Sequence, residues 1–347
     1  MRLTLLVPAP LATISGGYGY DRRVIAELRA AGHTVDVLEL AGRHPLPDAT
    51  ARQSARDAWA ALPPDALPLI DGLGLPAFDG LIDDRPTLGL IHHPTSLEAG
   101  TPDADRAALA EIEARMFPAL SGCIVTSDTT AETLAKDFAV APGRIATVAP
   151  GTDPAPRSPG SGSPTCHILS VGALIPRKGH ELLLRALARL FDLDWHLTIA
   201  GGTPDPVYAQ TLTNLAEELK IIQRVRFVGT LTGDALETLW QNSDIFALAT
   251  EYEGYGMVIA EALKRGLPVA ITKGGAAGAL VPDEAGIACD VGDLVTYSKA
   301  LRRVIFDTEL RADMAQAAFE AGQALPDWST QGAEFAAAVI RLSEGKG

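Results

Sequence analysis

A chain of 347 residues, 47% hydrophobic and 21% charged, is long enough for two domains with full cores and too apolar to be disordered. Its formal net charge of −14 is shared by both halves without a basic block, which excludes a phosphate-tracking nucleic-acid surface and strong docking on anionic lipid. The three cysteines, Cys123, Cys166 and Cys289, stand far apart without metal-ligand spacing and read as buried thiols in a reducing compartment. The opening MRLTLLVPAP is too short for a signal segment, and no run reaches the ~18 apolar residues of a membrane span. The expectation is a cytoplasmic protein that touches the inner membrane face peripherally at most; a local basic patch of Arg22, Arg23 and Arg29 stays open.

Apolar runs alternate with amphipathic stretches, the pattern of parallel α/β sheets. Strands are predicted at Leu3–Val7, Val35–Leu40, Leu69-Ile70, Thr87–His92, Cys123–Thr126 and Ala146–Val148. Helices are predicted at Asp21–Ala31, Asp103–Phe117 and Thr129–Phe138, with Gly16-Gly17-Tyr18-Gly19 as a loop before the first. PAPRSPGSGSP, residues 154–164, reads as a linker. The alternation then restarts: strands at Ile168–Val171, His196–Ala200, Val225–Val228 and Ile245–Leu248, helices at Glu181–Leu190, Tyr208–Leu219 and Ala235–Gln241. A further helix starts near Met257, a strand follows at Val269–Ile271, and the chain ends in a helix with Phe335, Ala338, Val339 and Leu342 on one face. Two such halves predict two Rossmann-like domains, with ligand at the carboxyl ends of the strands and in the cleft they face.

The most informative run is EYEGYGMVIAEALKRGLPVAIT. Glu253 precedes the turn Gly254-Tyr255-Gly256, Met257 opens a helix, and Glu261 lies in that helix. A glycine turn opening a helix exposes N–H groups that attract a phosphate. Carboxylates on either side could take hydroxyls flanking that phosphate, the layout of sugar, diphosphate and ribose. Arg177 and Lys178 sit just before another helix, where two cations would neutralise a diphosphate as a leaving group develops charge. His92 and His93 end a strand facing the expected cleft, and a metal site would need further ligands, of which none is spaced for it. Gly16 and Gly17 allow close backbone approach, but Arg22 stands where a dinucleotide fingerprint needs glycine, which disfavours a nicotinamide enzyme. Ser127 reads as a helix cap. The D-x-D pairs Asp103/Asp105 and Asp192/Asp194 lie in or beside helices and read as solvated charge, with no metal expected.

These runs, in this order, resemble the retaining glycosyltransferases of family 4 (glycosyl transferases group 1), whose fold is GT-B. The resemblance covers most of the chain. It implies an acceptor-side domain over 1–155, completed by a C-terminal helix at about 328–347 that crosses back to it, and a nucleotide-sugar-binding domain over 165–327. It implies catalytic roles for His92, which contacts donor sugar and phosphate, for Lys178, and for Glu253, which holds the donor sugar. Gly16, Gly17, His93, Arg177, Gly254, Tyr255, Gly256 and Met257 would line the donor, and Glu261 would grip the ribose. Val228 and Leu231 would pack on the base. VAPGTD resembles the segment that ends the first domain, with Gly151 and Asp153 shaping a hinge. The chain departs from the family at Ala173, where many members have arginine; Arg177 could replace that charge.

The implied activity is metal-independent, cofactor-free transfer of a sugar from a nucleoside-diphosphate sugar, a UDP-sugar first, to a glycan or lipid acceptor. A nucleotide-sugar epimerase on the same fold and a non-catalytic nucleotide-sugar-binding protein are the alternatives.

Overall fold

The computed structural model describes residues 1–344. The chain divides into two compact units, Met1–Gly151 joined by the chain from Pro326 on, and Thr152–Leu325.

The first unit is a six-stranded parallel sheet. Its strands are β1 (Arg2–Pro8), β2 (Thr34–Leu40), β3 (Leu67–Asp71), β4 (Leu88–Ile91), β5 (Gly122–Val125) and β6 (Ile145–Thr147), in spatial order β2-β1-β3-β4-β5-β6. Its helices are α1 (Gly16–Ala30), α2 (Ala49–Ala60), α3 (Asp103–Ala119) and α4 (Asp128–Asp137), and it takes back the terminal helix of the chain, Trp328–Glu344. The strands read as near-continuous apolar runs because both faces are covered. One such face packs Leu6, Ile70, Ile91, Cys123 and Val125 against Phe78, Met116 and Phe117.

The expected loop at Gly16–Gly19 is instead the first turn of α1. Ser15, in extended backbone, caps that turn by accepting from the Tyr18 N–H at 3.3 Å, so the helix begins a turn earlier than its apolar pattern announces. Ser127 caps α4 in the same way, accepting from the Thr130 N–H at 3.1 Å. Helix α2, whose apolar side chains are alanines and Trp59, is absent from the sequence reading.

The second unit holds β7 (Cys166–Val171), α5 (His180–Ala188), β8 (Trp195–Ala200), α6 (Pro206–Glu218), β9 (Val225–Phe227), α7 (Gly233–Gln241), β10 (Ile245–Leu248), α8 (Met257–Lys264), β11 (Val269–Thr272), β12 (Gly286–Cys289), α9 (Leu294–Phe306) and α10 (Thr308–Ala324). The sheet is parallel in the order β12-β11-β10-β7-β8-β9. The chain runs outward from β7 through β9 and returns to β10, so a topological switch point lies between β7 and β10, where open sheets bind ligands.

The expected linker at 154–164 has no regular structure but is tied to the second unit. The Ser158 N–H donates to the Arg265 carbonyl at 2.8 Å, and Ser161 donates through N–H and hydroxyl to Asp244 at 2.9 and 2.7 Å. Pro, Gly and Ser composition made it look loose; its serines anchor it.

The last helix, α11 (Trp328–Glu344), buries Trp328, Phe335, Ala338, Val339 and Leu342, which include the four positions expected on one face. Trp328 and Phe335 meet Tyr20 of α1 with ring centroids 5.9 and 6.4 Å apart. Gly122 and Gly332 let the helix come this close: a Cβ on Gly122 would lie 2.8 Å from Leu342, and one on Gly332 would lie 2.4 Å from Glu27. Among the described residues no helix is long and apolar enough to cross a membrane. All three cysteines are free and buried.

Candidate functional site

In the second unit the loops after β7 and β10 meet at the switch point. Lys178 Nζ lies 2.7 Å from Glu253 Oε1, and Arg177 Nη1 lies 3.5 Å from the same oxygen. The Lys178 and Glu253 side chains are only 12% and 9% exposed. Arg177 also donates to the Tyr252 carbonyl at 2.7 Å, and the Thr250 hydroxyl lies 2.8 Å from Glu253 Oε1. Burial pushes the Glu253 carboxyl up, but Lys178, Arg177 and Thr250 together hold it below its ordinary value. It is a carboxylate in neutral solution.

The loop after β11 fixes the backbone of this carboxylate. Glu253 N–H donates to the Gly274 carbonyl at 3.1 Å, and Ala276 N–H donates to the Glu253 carbonyl at 2.8 Å. Only glycine fits that clasp: a Cβ on Gly275, whose φ is +61°, would lie 2.3 Å from the Glu253 carbonyl oxygen, and one on Gly274 equally close to that of Glu251. Sequence reasoning missed Thr250, Gly274 and Gly275. The legible signal was a Gly-Gly pair at the carboxyl end of a parallel strand.

Gly256, at φ +105°, caps α8 without a side-chain hydrogen bond, and no acidic residue occupies the first turn of that helix. Its N–H groups and the positive end of its dipole are left for an outside anion. One turn on, Glu261 is half-buried. Arg265, whose charge could serve it, is engaged elsewhere: it lies 2.6 Å from Glu237 Oε2 and stacks over Trp240, 5.1 Å from the ring centroid. It gives Glu261 only a hydrogen bond to its backbone carbonyl. Burial therefore dominates and pushes the Glu261 carboxyl up to about 7; Arg265 relieves it in part, and Asp153 and Glu237 push the same way as burial.

Two further features flank this cluster. Lys178 is held by the turn through Gly179, whose φ is +62° and whose added Cβ would lie 1.8 Å from the Ala249 carbonyl oxygen. His180, fully buried, donates to the Ala173 carbonyl at 3.3 Å; burial lowers its imidazole to about 4, so it is neutral. Ala173 is thus held by its backbone, and Arg177 stands nearer Glu253 than any other arginine does. Val228 and Leu231 follow β9, the edge strand, and are half-buried, outside the hydrogen-bonded cluster.

The first unit gathers a second constellation at its own switch point, between β1 and β3. His92 follows β4, Asp71 ends β3, and Asp21 sits on the buried face of α1. His92 Nε2 lies 3.0 Å from Asp21 Oδ1 and 3.6 Å from Asp71 Oδ2, and three donor atoms from these residues fit within 4.8 Å of one another. Sequence spacing offered no further ligand beside the histidines, whereas the fold sets two carboxylates next to His92. Parallel strands bring together residues that are 71 apart in sequence. A carboxylate ending a parallel strand, as in LIDG, was the available signal.

His93 instead pairs with Glu98 at 2.7 Å. The loop between them is clamped by buried Glu113, which accepts from the backbone and hydroxyl of Thr95 and of Ser96. Gly17 lies against the His92 ring, where an added Cβ would come within 3.3 Å of Cδ2, whereas Gly16 is exposed at the start of α1. A cavity of about 290 Å³ in this unit is lined by Pro8, Tyr18, Arg43, His44 and Leu73 among others.

Two Rossmann-like units, the first including the last helix of the chain, are the GT-B fold of glycosyltransferases. Residues 155–321, within the second unit, match the family described as glycosyl transferases group 1. It is 28% identical over 262 residues to a D-inositol 3-phosphate glycosyltransferase from Corynebacterium efficiens, covering 69% of this chain and 61% of that one. It is 27% identical to the protein of the same description from Corynebacterium glutamicum, over 74% of this chain and 65% of that one. The chain thus spans under two thirds of the length of these relatives. Among solved structures, a sucrose-phosphate synthase from Thermosynechococcus elongatus superposes with a TM-score of 0.85 at 20% identity over the full length of both chains. HepE from Anabaena, solved in complex with UDP-glucose, gives 0.77 at 18% identity over 98% of this chain and 100% of that one.

Proposed function

We propose that the protein is a retaining, metal-independent hexosyltransferase that takes a sugar from a nucleoside-diphosphate sugar, a UDP-sugar, and passes it to a glycan or lipid acceptor. The observation that carries this reading is the switch-point cluster of the second unit. Two cations and an uncapped helix start suit the diphosphate of a nucleotide sugar, the buried ionised Glu253 suits its sugar, and Glu261 suits its ribose.

Lys178 has two donors beyond the one given to Glu253, so it can take diphosphate oxygens, and the Arg177 guanidinium adds positive charge beside it. They gain most as the C1–O bond breaks and the diphosphate acquires charge. The N–H groups at Met257 add the dipole of α8. Glu253 accepts from sugar hydroxyls, and Glu261 accepts from the ribose. Among the described residues no nucleophile and acid–base pair of the kind used by glycosidases faces this cluster. The acceptor then enters on the face the leaving group vacates, and the departing phosphate takes its proton. The cavity beside Tyr18 and Arg43 in the first unit is suited to the acceptor. The description of HepE as a UDP-glucose complex supports the donor class, and the inositol-phosphate transferases support a hydroxyl acceptor.

Calorimetric titration with UDP, GDP, ADP and their sugars tests the reading. UDP binding in the wild type, lost in Glu261→Ala, and sugar transfer that survives EDTA are expected. Sugar release without an acceptor product would favour the epimerase, and binding without turnover on any acceptor would favour a regulatory binding protein.

A further inference from the structure

We propose that Asp21 and Asp71 are positioning residues for His92: they keep its Nε2 protonated and aim its Nδ1 edge outward at the ligand. The inference rests on reading His92 as a ligand-contacting residue.

The geometry fixes one side of the imidazole. Nε2 faces Asp21 Oδ1 at hydrogen-bond length, 3.0 Å, with Asp71 Oδ2 behind at 3.6 Å. Tyr20 stands edge-on to the ring at 5.4 Å, and Gly17 lies against Cδ2. The His92 backbone is held as well: its carbonyl lies 3.3 Å from the Thr126 hydroxyl. Nδ1 makes no hydrogen bond among the described residues, and the side chain is 17% exposed while Asp21 and Asp71 are 0% and 2% exposed. The carboxylates are sealed behind the ring, and only the ring reaches out.

Electrostatics explain why the arrangement needs a proton. Asp71 Oδ1 is satisfied by the Leu73 N–H at 2.9 Å, which leaves Oδ2 for the imidazole. Asp21 Oδ2 is buried with no hydrogen-bond partner. The charged groups that weigh most on Asp71 are Asp21 and His92. Two buried carboxylates without a cation are costly, so the imidazolium is the compensating charge. Burial alone would lower the His92 imidazole, but Asp21, by charge and hydrogen bond, and Asp71 raise it above its ordinary value. Burial and Asp21 push Asp71 up to about 7. The other titratable groups nearby do not compete: Tyr18 is pushed up to about 12 and Tyr20 well above its ordinary value, both first by burial, and His93 is turned to Glu98. A doubly protonated His92 presents Nδ1–H as a donor, suited to a phosphate oxygen or a sugar hydroxyl.

The test is a ¹⁵N NMR pH titration of the histidines of the full chain, with the His92 signals assigned by their loss in His92→Gln, repeated in Asp71→Asn and Asp21→Asn. In the wild type the His92 midpoint should lie above that of an ordinary imidazole. Each asparagine variant should move its midpoint down by about one pH unit or more. The alkaline limb of kcat should move with it, and the donor KM should change less than kcat. If Asp21→Asn does not fold, Asp71→Asn decides. An unmoved midpoint overturns the proposal, as does a stoichiometric divalent metal in the purified protein that Asp71→Asn loses. Full transfer activity in His92→Gln would instead sink the reading of His92 as a ligand contact, whatever the midpoints do.

Discussion

Glu261→Gln should make the ligand-free protein more stable and its donor binding weaker. Glu261 is half-buried, lacks a cation at its carboxylate, and ionises at about 7 instead of 4.5. Between those values the folded chain holds a proton that the unfolded chain has released, so stability falls as pH rises from about 4.5 to 7. The full cost is present above pH 7 and absent below pH 4.5. At about 1.4 kcal/mol per pH unit, the displacement bounds that cost at ~3 kcal/mol, and partial exposure of the side chain reduces it. Glutamine keeps the shape and removes the charge. Urea unfolding of the second unit, followed through Trp195 and Trp240, should show the variant gaining up to ~3 kcal/mol at pH 8 and nothing at pH 4.5. In parallel, the wild-type Kd for UDP should fall about tenfold from pH 6 to pH 8, following the ionised fraction of a group with a midpoint near 7. The variant should bind weakly and show no such slope. A variant that is no more stable at pH 8, or that binds UDP with the same pH dependence as the wild type, would refute the assignment of a strained, ligand-seeking carboxylate.

Other perturbations follow from the same geometry. Lys178→Ala strands the buried Glu253 with only Arg177 at 3.5 Å, and should cost about 3–5 kcal/mol in urea unfolding as well as kcat. Lys178→Met with Glu253→Gln should recover most of that stability and none of the turnover. Glu113→Gln weakens four hydrogen bonds that hold Thr95 and Ser96, and should cost about 2–4 kcal/mol and raise hydrogen exchange across 93–98. Gly179→Ala places a Cβ against the Ala249 carbonyl in a left-handed backbone, and should displace Lys178 and lower donor affinity, measured by titration with UDP.

The alternation of apolar runs and helices was legible because parallel strands covered on both faces leave uninterrupted apolar segments, as at Ile245–Leu248 and Val269–Thr272. The run around Glu253 and Glu261 was legible for a local reason: a glycine turn, a helix start and the residues on either side of it are neighbours in sequence. The cap that moves α1 forward to Gly16 was less visible, because Ser15 follows an apolar loop that hides the boundary. Helices α2, α9 and α10 went unread although each begins at a capping aspartate, Asp48, Asp293 and Asp307.

What sequence could not supply is proximity between distant residues. Lys178 and Glu253 lie 75 positions apart and Asp21 and His92 lie 71 apart, yet each pair is within 3 Å. Strand order decides that: adjacency of β7 and β10 makes one pair, and adjacency of β1, β3 and β4 makes the other. The same packing turns Arg265 onto Glu237 and leaves Glu261 with only partial relief from its charge. Residue types and local spacing determined which chemistry was available; the tertiary fold decided which charges met, and so which of them were neutralised and which were left for a ligand.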